Sequence, residues 1–207
     1  MSKTNTNIFI KSYWNYFLEL EEQFIGTKRF VEFDCSNFET YSVEYLKLLQ
    51  AICSEIDVVA KILDEEFDIE FKKIKNKTIQ KWGYHLHLEF PNIETISVVF
   101  NADYQFCPWS NWKYEKYYDK NNALRYRLIQ GKETPFWWTA YNKVKHERTS
   151  HYKDGKPNYI RANQKNLTYA LGALFILESL YLSNIKDKTG IVYKQSKLFS
   201  IEDMQES

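Results

Sequence analysis

The sequence predicts a mainly α-helical bundle interrupted by a small β-containing insertion, and three patterns lead to that class. Tyr45, Leu49, Ile52, Ile56, Val59 and Leu63 recur in steps of three and four, the stripe of a helix buried on one side. The stretch from about Ala162 to Ser183 is apolar nearly all round, as expected of a helix central to a core. Between them Tyr84, Leu86, Leu88 and Phe90 alternate with His85, His87 and Glu89, a period of two that marks a strand.

The elements follow in order. Residues 8–25 mix aromatic side chains with Glu19, Glu21 and Glu22 at helical spacing, and Gly26 offers a stop. Phe30-Val31-Glu32-Phe33 reads as a turn or a single strand, and Ser42 opens the second main helix. Residues 67–133 form the expected insertion, β-containing and rich in aromatics, between the second and third main helices. In it Pro91-Asn92 breaks the alternating strand, Ile96 to Phe100 makes a second, and 101–133 is irregular with a turn at Lys120-Asn121-Asn122. Thr134 is a fitting cap and Pro135 a fitting first residue for the third main helix, which ends near Arg148. Asp154-Gly155-Lys156-Pro157 marks a loop before the last helix, where Ala170, Gly172 and Ala173 allow a neighbour to approach closely. The apolar run there falls short of a membrane span and Glu178 interrupts the stretch, so no membrane partner is expected.

A length of 207 residues suits a single domain over 1–207, with an insertion but not a second core. An aromatic content of 17% points to a core of large side chains and excludes the disordered and fibrous classes. Cys35, Cys53 and Cys107 are odd in number and far apart, with neither a disulfide framework nor metal-ligand spacing. Met1 to Asn7 is polar, without a basic-then-apolar leader, and a reducing, cytoplasmic setting is expected. The net charge of +1 conceals an asymmetry: residues 19–70 carry fourteen acidic and four basic residues, whereas 134–165 carry two acidic and seven basic. Charge divided in this way steers an anionic ligand to one face, or neutralises itself across the fold.

Several constellations are candidates for chemistry. On a strand, His85, His87 and Glu89 point the same way and suit zinc or iron, but they equally make the polar face of a half-exposed strand. Trp109, Trp112, Tyr114, Tyr117, Tyr118 and Tyr126 interleave with Lys113, Lys116, Arg125 and Arg127. Such a segment stacks unpaired bases beside phosphate-binding cations, or closes the core of the insertion. Asp57, beside the apolar stripe of the second helix, needs a partner because a lone buried carboxylate is costly. The cations of the helix beginning at Pro135 are the expected partners.

That helix carries the most informative pattern. Asn142 and His146 lie one turn apart on one face, with Lys145 between them and Arg148 just beyond, while Trp137, Tyr141 and Val144 form the apolar side. An anion or phosphate site needs such a cationic polar face, and an ordinary amphipathic helix also presents one. The run Tyr141-Asn142-Lys143-Val144-Lys145-His146 resembles the motif of the HEPN family (higher eukaryote and prokaryote nucleotide-binding): an arginine, a polar residue such as asparagine, three variable positions and a histidine. Asn142 and His146 match; Tyr141 stands in the arginine's place. The element order is also similar, and the wording through Arg148 resembles uncharacterised bacterial HEPN-like and abortive-infection proteins.

The resemblance implies an all-helical HEPN-like bundle that forms a homodimer with two motifs facing one cleft, and a metal-independent endoribonuclease in many members, with no cofactor. His146 would then shuttle a proton, Asn142 would orient it or the phosphate, and Lys145 and Arg148 would stabilise charge on the phosphate. Tyr141 can donate a hydrogen bond but brings no cation. Two functions follow: a module that binds nucleotide, RNA or a protein partner such as an antitoxin, in phage defence or a toxin system; or a ribonuclease using His146. A metal-dependent enzyme using His85, His87 and Glu89 is a third.

Overall fold

The computed structural model describes residues 3–67, 77–130, 134–184 and 192–201. The chain begins with α1 (Lys3–Phe9), a π-helical turn (Ile10–Trp14) and α2 (Asn15–Thr27). Helix therefore starts before residue 8 and runs through Gly26; it stops at Thr27, whose hydroxyl donates to the Phe24 carbonyl at 2.7 Å. Phe30 to Phe33 is turn and bend. Helix α3 (Val43–Phe67) opens where Ser42 Oγ accepts from the Tyr45 amide at 3.0 Å, a side-chain N-cap. Its six-residue apolar stripe is buried throughout.

Helix α4 spans Ile79–Glu89. This corrects the strand expected at Tyr84 to Phe90. The alternation there is a seven-residue window on a longer helical repeat, in which Ile79, Trp82, Gly83 and Leu86 are buried at steps of three, one and three. Gly83 settles the packing: a Cβ on it would lie 1.7 Å from the Trp112 ring, so the indole rests directly on the α4 backbone.

Two antiparallel sheets follow. In one, β1 (Val98–Phe100) pairs on one side with β2 (Tyr104–Phe106) and on the other with β5 (Phe199–Ser200). The second strand expected at Ile96 to Phe100 thus exists, but its partners are β2 and the C-terminal segment. In the other sheet, β3 (Tyr114–Tyr118) pairs with β4 (Leu124–Leu128) around a turn at 119–123. Residues 114–128, expected to be irregular around a turn at Lys120-Asn121-Asn122, therefore form a hairpin. Charged and aromatic residues on both faces of β3 and β4 hide the alternation that normally marks a strand.

Helix α5 (Phe136–His146) and helix α6 (Gln164–Ser183) complete the frame, with a 3-10 turn at Asn158–Arg161 between them. Pro135 is the N-cap residue of α5, without a side-chain cap; the Thr134 hydroxyl instead meets that of Thr139 at 2.9 Å. Helix α6 is the core helix expected, buried nearly all round and packed on α3; a Gly172 Cβ would come within 3.0 Å of the Phe106 ring. One buried cluster joins α1 to α6 and the sheets, including the tryptophans at 82, 109, 112 and 137. The fold is mainly α with small antiparallel sheets, and among the described residues no helix is long and apolar enough to cross a membrane.

Candidate functional site

Aromatic packing fixes α5. The Trp137 indole donates to the Pro108 carbonyl at 2.9 Å, and Trp138 stands edge-on to Trp82 with centroids 5.8 Å apart. Trp137, Trp138, Ala140, Tyr141 and Val144 face inward, which leaves Thr139 and Asn142 half-buried and His146 exposed along the outer side. The expected pair is thus brought together on one solvent-facing edge.

Tyr141, 6% exposed, turns into the core instead, edge-on to Trp138. Its hydroxyl accepts from Lys145 Nζ at 2.9 Å, and the ammonium lies 5.2 Å from the ring centroid. The Lys145 pKa is raised first by this hydrogen bond, then by the Tyr141 charge, with Asp57 and Cys53 adding to it. At 100° per residue, this pair sits about a quarter-turn around the helix from Asn142 and His146. Lys145 therefore serves the packed side of α5, not its open edge.

Asp57 makes its own contacts elsewhere. Its carboxylate accepts from Trp82 Nε1 at 3.1 Å and pairs with Lys61 one turn along α3; among the described residues α5 supplies the Lys145 charge nearby but no hydrogen bond. Arg148 Nε donates to the Val144 carbonyl at 3.3 Å, capping the end of α5 as cations near a helix C-terminus do. Among the described residues, no hydrogen bond reaches the side chain of Asn142 or His146.

The histidines of α4 are not a one-face ligand set. On a helix, residues two apart point about 200° apart. His87 is buried, and its Nδ1 meets the Gly83 carbonyl at 2.8 Å. Burial lowers its pKa below 6.5, so the ring is neutral near neutral pH. Among the described residues, no group of three His, Cys, Asp or Glu side chains is placed to hold a metal ion. The aromatic segment divides: Trp109, Trp112 and Tyr114 enter the core, whereas Tyr117 and Tyr118 stay exposed.

A cleft of about 660 Å³ adjoins the edge of α5 formed by Phe136, Thr139 and Ala140. Its cations are Lys156, Arg161 and Lys165, and its acids Glu39 and Asp154. Arg161 is held in place by two hydrogen bonds to Asp154, at 2.7 and 2.8 Å, and by the Tyr152 ring 4.1 Å away. The Arg161 hydrogen bond also holds the Asp154 carboxyl below its ordinary pKa. Lys165 Nζ lies 5.7 Å from the Phe136 centroid. The α6 N-terminus beneath is already satisfied: the Gln164 amide donates to Thr40 O, the Lys165 amide to Phe38 O, and the Asn166 amide to Asn163 Oδ1. What the cleft offers is therefore side chains, not free helix amides.

Lys156, Arg161, Lys165 and the two rings escaped the site expected from sequence. Their signal lay in the basic balance of 134–165 and in the Asn163-x-x-Asn166 cap, which fixes where α6 begins. Comparison with protein-family models finds no match to this chain, and comparisons with curated proteins and with solved structures find none either.

Proposed function

We propose that this protein is a binding module for a phosphate-bearing nucleotide or the end of a single-stranded nucleic acid, seated in the cleft between α5 and the start of α6. The observation that carries the reading is the pairing of rings and cations there. Phe136 and Tyr152 offer flat faces for a base, while Lys156 and Lys165 offer charge for phosphate. Thr139, Asn142 and His146 extend the polar surface along α5. HEPN-like membership is part of the proposal and rests on Asn142, His146 and the helix order; phage defence or a toxin system is the corresponding setting.

Binding is favoured over catalysis because the cations near the histidine are engaged elsewhere. Lys145 is tied to Tyr141 and Arg148 to the α5 C-terminus, so neither stands ready to stabilise a charged phosphorane beside His146. Calorimetric titration with nucleoside mono- and triphosphates tests the reading. Saturable binding is expected to weaken at least tenfold in Lys156→Glu/Lys165→Glu, and RNA incubated without metal is expected to stay intact. Absence of nucleotide binding to the unaltered protein would overturn the reading. Metal-free cleavage lost in His146→Ala would establish the ribonuclease instead.

A further inference from the structure

We infer that the β3–β4 ribbon is a second contact surface, one that grips single-stranded nucleic acid beyond the cleft. The ribbon is anchored at its root and free above it. Tyr114 is buried, and its hydroxyl donates to the Gln80 carbonyl at 3.0 Å. From there outward Glu115, Lys116, Tyr117 and Tyr118 on β3, and Leu124, Arg125 and Arg127 on β4, are all exposed. The ribbon pairs with no other strand among the described residues; β4 lies against α4 near the root, and beyond it these side chains stay open to solvent.

A two-stranded ribbon is marginal by itself, and exposed tyrosines on it gain nothing from the core. Its turn is nevertheless tightly built: Asp119 Oδ1 accepts from the amides of Asn121 and Ala123 at 2.9 and 3.0 Å, and Asn122 takes the left-handed conformation at φ 58°. The register sets Tyr117 opposite Arg125, and the Arg127 guanidinium lies 5.7 Å from the Tyr117 ring. Tyr118, 69% exposed, stands next to the turn. Residues 113–128 carry five basic and two acidic side chains. The acids are Glu115, paired with Arg127, and Asp119, paired with Arg125. Exposed pairs of this kind contribute little, so a phosphate can replace the carboxylate as partner.

Rings alternating with cations on an exposed surface match the chemistry of a single strand, whose bases stack while its phosphates meet Arg and Lys. Position agrees with this. Asn111, just before β3, and Thr134, after β4, both line the cleft, so the ribbon rises from its rim. The inference builds on the ligand reading above, but it concerns a different surface and can be tested separately.

The test uses the full chain, with fluorescence anisotropy of a labelled single-stranded RNA of about ten nucleotides, a typical site size, and a DNA of the same length. Arg125→Glu/Arg127→Glu is expected to weaken oligonucleotide binding tenfold or more and to lower the log–log salt slope by about 1.4 for two lost phosphate contacts. Tyr117→Ala/Tyr118→Ala is expected to weaken it severalfold, with mononucleotide affinity unchanged in both variants. All four side chains are exposed, and unchanged thermal melts would verify folding. Oligonucleotide binding that ignores both variants overturns the inference, as would happen if the ribbon docked a protein instead. Ribbon-dependent oligonucleotide binding without any mononucleotide binding sustains this inference while removing the cleft reading.

Discussion

Two residues show how closely single side chains set this molecule's stability. In an exposed helix, Gly→Ala stabilises by about 1 kcal/mol. At Gly83 the sign reverses, because the new methyl would coincide with the Trp112 ring. Gly83→Ala is expected to cost about 3 kcal/mol in denaturant unfolding, as overpacked cores do. Glu178 is the second. It is wholly buried in α6, and among the described residues neither of its oxygens has a hydrogen-bond partner. Burial, reinforced by the charge of Glu55, raises its pKa well above 4.5. The unfolded chain ionises first, so stability from this group is full below pH 4.5 and is lost as pH rises toward the folded value. Glu178→Gln is expected to melt higher than the unaltered protein at pH 8, with the difference shrinking toward pH 5. Equal differences at both pH values would contradict the assignment.

At the scale of elements, the C-terminal segment depends on one carboxylate. Glu21 on α2 is buried and accepts from Ser196 Oγ, the Lys197 amide at 2.9 Å and the Leu198 amide at 3.1 Å, while the Trp14 indole donates to the Lys194 carbonyl at 2.7 Å. This clasp seats β5 against β1. Glu21→Ala leaves buried donors unpaired and is expected to cost about 3 kcal/mol. Trypsin should then cut at Lys194 and Lys197 well before the core unfolds; unchanged cleavage kinetics would show that the clasp is dispensable. Contacts across some 175 residues of chain leave no local mark, which is why β5 was not legible in the sequence. Helices α3 and α6 were legible, since their burial is written in residue spacing. The α4 helix reads locally as a strand because Tyr84, Leu86 and Leu88 also alternate. At the site, the sequence located the Asn142–His146 edge but not the cleft beside it, whose Lys156, Arg161 and Lys165 come from a loop and a helix start that local patterns do not join.

At the scale of the whole molecule, the acidic balance of 19–70 and the basic balance of 134–165 divide the charge between parts of one fold. The cleft draws its cations from the basic segment, and Glu39 and Asp154 confine that charge. Nucleotide affinity should therefore fall as salt screens these groups over about 8–10 Å. An amide NMR titration of the protein with ATP tests the central claim most directly, because it reports where the ligand sits as well as whether it binds. The account predicts saturable shifts concentrated in residues 136–146 and 152–166, lost in Lys156→Glu/Lys165→Glu. Shifts confined to other surfaces, or none at saturating nucleotide, would contradict it.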